Sequence, residues 1–436
     1  MNYLNYLRNK SFWLIDTLKG KQIKNHLKEV SLILKNPTSE QSKNIRKKHI
    51  ENLLLHACKT TLYYPSFINN KDIVEFPVIK KTDIQQNFEA FKSSKFKEKT
   101  NYKVATSGST GVPFFLFQDA NKRHRNTADV LFFSKECDFT LGNRLYELEV
   151  WRKHNKKSRF KSWIQNIKQF DISKLTDNRI EEFLQLLKTS KQKKTILGFA
   201  SSYEQICQYL DKSKNKIEDY KINSIIANSE YLNLNTKKSM SKYFNAPVLS
   251  RYSSEEIGIV AQQTIKSPDY FIINHASYHV ELLNLENDTP AKVGEIGRIV
   301  VTDLFNYAMP IIRYDTGDIA KLIEVDGVTK FEHIEGRKMD LIYDTKGNII
   351  SSFVVYTKFY NYYKYLNQYQ LIQEGDKKYH IKLNIHDKKF PFEKELVEDF
   401  KKDFGFDSII KITYVKEIPA LSSGKRKKVL NTFHKN

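Results

Sequence analysis

Along the first sixty residues apolar side chains recur at three- and four-residue steps, with lysine and arginine on the opposite face. Ile45, Ile50, Leu53, Leu54 and Ala57 carry the pattern, and the spacing predicts amphipathic helices. Tyr63-Tyr64-Pro65 then stops the last of them. From about residue 75 to 335 the rhythm changes to short β-rich runs separated by helical ones. Residues 195–199 (TILGF), 222–227 (INSIIA), 248–252 and 296–302 (IGRIVVT) read as strands, and 203–210 as a helix. This alternation predicts an α/β fold, with sheets covered by helices and a ligand site in the loops beyond strand ends. The last hundred residues differ again. Segments 369–373 and 379–385 read as paired strands, 392–404 as a helix and 409–415 as a further strand, which makes a small α+β domain. A turn signal at Gly336-Arg337 places the boundary, giving a large domain over 1–335, mainly helical through 75, and a small one over 336–436.

Composition adds bounds to this outline. The chain has 436 residues, 40% apolar and 13% aromatic, enough for a large core. Its formal charge of +22 invites an anionic partner, yet no run of six basic residues occurs and lysine is interleaved with acids nearly everywhere. A generally lysine-rich chain explains the charge better than a nucleic-acid site, and no nucleic acid is expected. Cys58, Cys137 and Cys207 are scattered without CxxC spacing, which argues against a disulfide framework or zinc site and fits a reducing cytoplasm. No apolar stretch approaches the roughly 18 residues a spanning helix needs, and the opening residues lack signal-peptide character. A soluble cytoplasmic protein is expected, with peripheral membrane contact left open.

Four segments carry candidate chemistry. Residues 104–117 (VATSGSTGVPFFLF) set two glycines and four hydroxyl residues between strand-like flanks, where backbone N–H groups and hydroxyls can converge on phosphate. No Lys-Ser/Thr pair follows the second glycine, so this is not a Walker A loop; an ordinary hairpin turn is the alternative. Residues 251–258 (RYSSEEIG) put two carboxylates at a strand end, suited to Mg²⁺ or equally to a capped, solvated helix start. In 309–320 (MPIIRYDTGDIA), Asp315 and Asp318 bracket a Thr-Gly turn that could aim a carboxylate at paired ribose hydroxyls, and Arg337 follows at the boundary. Finally, 418–430 (IPALSSGKRKKVL) presents Lys425 from a Ser-Ser-Gly turn, either as a mobile cation for a developing negative charge or as part of a basic tail.

In order and spacing these segments resemble the adenylate-forming (ANL) superfamily, and within it the phenylacetate–CoA ligase-like branch that includes CapK-like capsular-polysaccharide proteins. The resemblance runs from about residue 53 to 430 through FPVIKKTDI at 76–84, TSGSTGVP, IIANSEYL at 225–232, YSSEEIG, RYDTGD, GRKMD and the terminal SGK. It implies an ATP-dependent enzyme that activates a carboxylic acid as acyl-AMP. It then implies transfer to an acceptor: coenzyme A, a carrier thiol or a sugar amine. By the same resemblance Thr106, Ser107, Gly108, Ser109, Thr110 and Gly111 surround the β- and γ-phosphates. Asn228, Ser229 and Glu230 lie against adenine and acid, Tyr252 and Ser253 belong to the nucleotide site, and Glu256 holds Mg²⁺. Asp318 accepts from the ribose, Arg337 contacts the nucleotide, and Lys425 arrives with the small domain during adenylation. Glu255, where the family often has Ser or Thr, and Ser253, where Gly is usual, depart from the pattern. Trp151, His154 and Tyr203 are candidates for the acid pocket, each reading equally well as a core or surface residue. The competing reading is a non-catalytic protein of the same fold whose basic surface takes an anionic glycan, membrane or nucleic acid.

Overall fold

The computed structural model describes residues 2–70, 72–106, 114–151, 156–213, 219–337, 342–350, 354–355, 358–359, 362, 365–386, 390–419 and 426–433, with backbone alone at 106, 336, 337 and 349. Residues 107–111 and Lys425, along with His154, therefore lie outside the described residues, and Thr106 and Arg337 enter by their backbone only.

Three helices open the chain: α1 (Tyr3–Leu18), α2 (Gln22–Lys35) and α3 (Glu40–Thr60). Ser39 caps α3 by accepting from the Ser42 amide. Leu53, Leu54 and Ala57 of its predicted stripe are buried. A short α4 (Lys81–Gln86) precedes a hairpin of β1 (Tyr102–Thr106) and β2 (Phe114–Gln118). Then follow α5 (Ala120–Lys135), β3 (Arg144–Glu149), α6 (Arg159–Gln165), β4 (Ile167–Asp171), α7 (Asp177–Thr189), β5 (Lys194–Phe199), α8 (Ala200–Ser213), β6 (Ile222–Asn228), α9 (Leu234–Phe244) and β7 (Val248–Ser254). The chain next folds into β8 (Gly258–Thr264), β9 (Ser267–Ile273), β10 (Tyr278–Leu283), β11 (Ile296–Asp303), β12 (Tyr314–Val325) and β13 (Val328–Arg337).

Among the described residues these strands form one large sheet in the order β10-β11-β12-β13-β9-β8-β7-β6-β5-β3-β4. From β7 to β4 neighbours run parallel, joined by helical crossovers; from β7 to β10 they run antiparallel. The β7–β8 turn is thus where a doubly wound half meets a meander, the kind of topological change beside which ligands bind. Each half has its own core. Ile196, Tyr203, Ile225, Met240 and Phe183 pack the parallel half against α7, α8 and α9, and Phe76, Phe114, Ile299, Tyr314 and Phe331 pack the antiparallel half.

Buried charge ties α5 to the meander. Lys122 Nζ lies 2.7 Å from Asp303 Oδ2 with both side chains fully buried, and Nζ donates to Tyr278 Oη at 3.1 Å. Arg125 donates to Glu29 (2.7 Å), Ser277 Oγ (2.8 Å) and the Ala276 carbonyl (2.6 Å), while its guanidinium lies 3.8 Å from the Phe305 ring centroid.

The remaining strands are β14 (Ile342–Tyr343), β15 (Ile349–Ile350), β16 (Leu366–Gln373), β17 (Lys378–Ile385), β18 (Ile409–Tyr414) and β19 (Val429–Asn431), with α10 (Glu393–Phe404). β14 pairs with β15, and the other four strands form a sheet ordered β18-β17-β16-β19, covered by α10. Leu371, Ile381, Leu383, Leu396, Phe400 and Val429 close a separate core there. The large sheet-and-helix domain followed by a small α+β domain is the fold class the pattern predicts.

Candidate active site

The β1–β2 hairpin flanks the predicted phosphate loop, whose residues 107–113 lie outside the described residues. Thr106 pairs with Phe114 at the end of the hairpin nearest that loop. Phe114 stacks on Tyr314 at 6.5 Å with planes 10° apart, and Lys81 Nζ sits 5.3 Å from the Phe114 ring centroid. Gln118, ending β2, donates to the Glu256 carbonyl at 3.0 Å. Ile79 bridges to Tyr314, exchanging backbone hydrogen bonds of 2.9 and 2.8 Å with Arg313 and Asp315. Four segments that are far apart in sequence, FPVIKKTDI, the loop flanks, YSSEEIG and RYDTGD, are thereby held against one another.

The strand β7 delivers Tyr252 and Ser253. Tyr252 Oη donates to Asp318 Oδ2 at 2.7 Å and lies 3.2 Å from Thr316 Oγ1. Burial and the adjoining Asp318 carboxylate raise its phenol well above the usual range. Residues 255–257 form a turn into β8, so the Glu-Glu pair does not begin a helix as one sequence reading had it. Hydrogen bonding between β7 and β8 continues to the Ser254–Gly258 pair and leaves no room for a helical turn. Burial raises the Glu256 carboxyl, against the pull of Ser254 and Lys81.

The Asp315–Asp318 segment is the start of β12, not a free turn. A register shift at Arg298/Val300 bulges the pair, and Gly317 takes the left-handed φ of +77° that the bulge requires. The two aspartates have separated jobs. Asp315 is locked inward by Arg298 Nη1 at 2.5 Å and by the Gly317 amide at 2.9 Å. Asp318 faces Tyr252, and Arg337 stands opposite it in the β12–β13 register.

The C-terminal ends of the parallel strands supply the far wall. After Asn228 the backbone turns through Ser229 at a φ of +66°, a strained conformation for a residue with a Cβ. The turn sends Glu230 Oε2 to accept from the Ser201 amide in the first turn of α8 at 2.8 Å, a favourable place for a carboxylate. Glu230 Oε1 and Asn228 Oδ1 are buried without a hydrogen-bond partner. Asn228 Nδ2 reaches Glu149 Oε1 at 3.5 Å. Glu149, at the end of β3, is pushed up to about 7 by burial and by Glu147 and Glu255. Glu147 is itself held by Lys157, which reaches both its oxygens at 2.8 Å.

These groups line one cleft of ≈ 2980 Å³, whose walls include Lys81, Glu149, Asn228, Ser229, Glu230, Tyr252, Ser253, Glu256 and Asp318. The small domain closes one side of it. Gln208 of α8 donates to the Leu366 carbonyl at 3.0 Å, and Lys428 pairs with Glu204. The Lys428 carbonyl accepts from Leu371 and the Lys427 carbonyl from Gln370. Arg426, next in the chain to Lys425, is among the lining residues.

Of the pocket candidates, Tyr203 is a correction: it is fully buried and donates to the Ile226 carbonyl at 2.9 Å, so it belongs to the core. Trp151 is partly buried, with Nε1 unpartnered. Glu149, Glu147 and Lys81 are additions that sequence reasoning passed over. The alternation ELE over 147–149, placing two carboxylates on one strand face, was the available signal. Among the described residues no three His, Cys, Asp or Glu side chains form a ready cation cage. Magnesium needs none, because it is commonly held by one or two carboxylates together with substrate phosphates and water; Glu256 fits that donor role.

Residues 342–432 match the CapK C-terminal domain family. Protein CapK of Staphylococcus aureus is 23% identical over 374 residues, covering 83% of this chain and 81% of that protein. The phenylacetate-coenzyme A ligase of Escherichia coli (strain K12) is 28% identical over 120 residues, 27% of this chain and 28% of that one. Crystal structures of a 2-hydroxyisobutyryl-CoA ligase share the fold at 15% identity. The postadenylation state with a bound acyl-AMP superposes with a TM-score of 0.72, covering 90% of both chains. The thioesterification state of that ligase, with 2-HIB-AMP and CoA, scores 0.59.

Proposed function

We propose that this chain, which carries a CapK C-terminal domain on the adenylate-forming ligase fold, uses ATP to activate a carboxylic acid as its acyl-AMP and then passes the acyl group to an acceptor. The observation that carries this reading is the Tyr252–Asp318 pair (2.7 Å) in a cleft shared with Glu256, Asn228 and Glu230. Asp318, with Arg337 opposite it in register, accepts from the ribose hydroxyls. Asn228, Ser229 and Glu230 frame the adenine and the acid, and the buried unpartnered acceptors on Asn228 and Glu230 suit a ligand that brings donors. Residues 106–111 take the β- and γ-phosphates. Glu256 holds Mg²⁺, which supplies positive charge to the phosphates.

In that reaction the acid's oxygen attacks the α-phosphorus in line and pyrophosphate leaves; positioning and charge neutralisation carry the catalysis. Lys425 brings a cation to the reacting phosphate from the small domain, whose boundary we place at residue 336. The chain superposes better on the postadenylation arrangement of that ligase than on its thioesterification arrangement, and we take the small domain to be a lid that moves between such states. The acceptor is a thiol such as coenzyme A or a carrier, or a sugar amine. Likeness to CapK supports a place in surface-polysaccharide synthesis, and we expect the protein to work in the cytoplasm.

The test is ATP–pyrophosphate exchange across a panel of aromatic, fatty, hydroxy and amino acids, with Lys425→Ala as control. Removing a preorganised charge of this kind costs about 10²–10³ in rate, so the variant should lose exchange while consuming supplied acyl-AMP more nearly as the wild type does. Wild-type exchange rates in Lys425→Ala would overturn the assignment. Salt-sensitive binding of a polyanion with no exchange for any acid would favour the non-catalytic alternative.

A further inference from the structure

We propose that α1 and α6 together form a basic, aromatic face that seats this protein on an anionic lipid surface. The starting observation is that α1 is turned inside out. Its docked side is polar. Asn5 is buried and accepts from Asn166 Nδ2 at 3.1 Å, Asn9 donates to the Leu141 carbonyl at 3.0 Å, and buried Asp16 accepts from the Ile23 and Lys24 amides at 2.9 and 3.0 Å. Its outward side carries the apolar stripe Leu4, Leu7, Leu14, Ile15 and Leu18, at three- and four-residue spacing. Leu14 is 61% exposed and Leu18 78%. An ordinary surface helix buries such a stripe and solvates the other face.

A second element extends the same surface. In α6, Phe160 (71% exposed) stacks on Trp163 (63% exposed), and the Arg8 guanidinium of α1 lies 5.5 Å from the Trp163 ring centroid. Contiguous exposed apolar groups of this kind mark an interaction site. The charge around them selects the partner. Residues 1–28 carry Arg8, Lys10, Lys19, Lys21, Lys24 and Lys28 against one acid, Asp16, whose oxygens are already engaged. Residues 156–168 carry Lys156, Arg159, Lys161 and Lys168 against no acid, Lys157 being already paired with Glu147. Leucine and aromatic side chains ringed by lysine and arginine are what an interfacial helix lays into a headgroup layer. A second copy of a +22 chain would have to bring like charges together. No described helix is long and apolar enough to cross a membrane, so the face would lie on it. The outer walls of the cleft include Leu4, Leu7 and Trp163, so the cleft opens beside the seated face.

The inference does not depend on the ligase reading, and its test uses the full chain. Co-sedimentation with vesicles of phosphatidylcholine alone, and of phosphatidylcholine mixed with phosphatidylglycerol, should show binding to the mixed vesicles that weakens as salt is raised toward about 0.5 M. The double variant Leu14→Glu/Leu18→Glu should lower that affinity by about tenfold or more, while its melting temperature and pyrophosphate exchange stay at wild-type values. Absence of binding to mixed vesicles overturns the proposal. So does undiminished binding by the double variant, which would reduce the effect to diffuse basic charge. A concentration-dependent dimer in sedimentation velocity that the double variant dissolves, with no vesicle binding, would assign the stripe to a second copy instead.

Discussion

Buried charge is handled in opposite ways in two regions of this molecule. Where α5 meets the meander, each cation has an acid beside it: Lys122 with Asp303, and Arg125 with Glu29 and Asp129. At the ends of β3 and β6 the balance is only partial: Lys157 and Arg251 offset some of the negative charge around Glu149, but not enough to stop its carboxyl being raised. Glu149 looks across at Glu147 and Glu255 with the Asn228 amide as a hydrogen-bond donor, and Asn228 and Glu230 each keep a buried acceptor without one. The same residue types therefore make framework in one place and a receptive cleft in the other, and what separates them is how fully the folded chain itself supplies the compensating charge. Breaking a compensated pair should cost stability; relieving an under-compensated group should add it.

The largest effect is expected from the framework. Asp303→Ala leaves the Lys122 ammonium buried beside the Tyr278 hydroxyl with its carboxylate gone. Removing one partner of a buried ion pair costs about 3–5 kcal/mol. Urea denaturation should show a loss of that order with little change in slope. Replacing both partners with apolar side chains of similar size, as in Lys122→Met/Asp303→Leu, should recover most of it. A loss below about 1 kcal/mol for Asp303→Ala would mean that the pair is not the brace its burial makes it.

The cleft should respond with the other sign and with a pH dependence. Glu149 is raised from 4.5 to about 7. Below pH 4.5 the carboxyl is protonated in both folded and unfolded chains. Between pH 4.5 and about 7 the unfolded chain ionises this carboxyl while burial and the neighbouring acids keep the folded one protonated. Stability from this group is thus full at low pH and lost by about pH 7. Glu149→Gln should leave stability near the wild-type value at pH 4.5 and exceed it at pH 8 by up to about 3 kcal/mol. Thermal melts across that range check both the sign and the window; a Gln variant no more stable than wild type at pH 8 would show that the site has its own compensation.

Much of the fold and of the cleft was legible in the sequence, and the part that was not has a definite physical cause. Periodicity found the helices at 1–60, the strands of the parallel half and the small domain, because each buries a face whose spacing is set by backbone geometry. Motif order found Tyr252, Glu256 and Asp318, which the fold brings to one cleft. Compensation, by contrast, is decided by residues from 17 to 181 positions apart, on separate elements. The residues alone do not separate Asp315 from Asp318 in RYDTGD, where only the resemblance singles out Asp318; in the fold Arg298 holds the first and Tyr252 donates to the second. Tyr203 reads from sequence as pocket, core or surface alike, and its hydroxyl satisfies the Ile226 carbonyl inside the core. The inverted face of α1 was missed for a related reason: amphipathicity gives a stripe but not which side is docked.

The smallest effect should come from the Tyr252 hydroxyl in the cleft. Tyr252 gives Asp318 a neutral donor at 2.7 Å. Tyr252→Phe keeps the ring and removes only that donor, worth about 1 kcal/mol net. If Asp318 takes ribose hydroxyls, the loss should appear as an increase of about fivefold in the apparent KM for ATP in pyrophosphate exchange, with kcat and the KM for the acid nearly unchanged, because a misaimed carboxylate weakens nucleotide binding without touching the reacting phosphate. Asp318→Asn should move the same constant further in the same direction. A change confined to the acid's KM would place the Tyr252–Asp318 pair at the acyl end of the cleft and redraw the site.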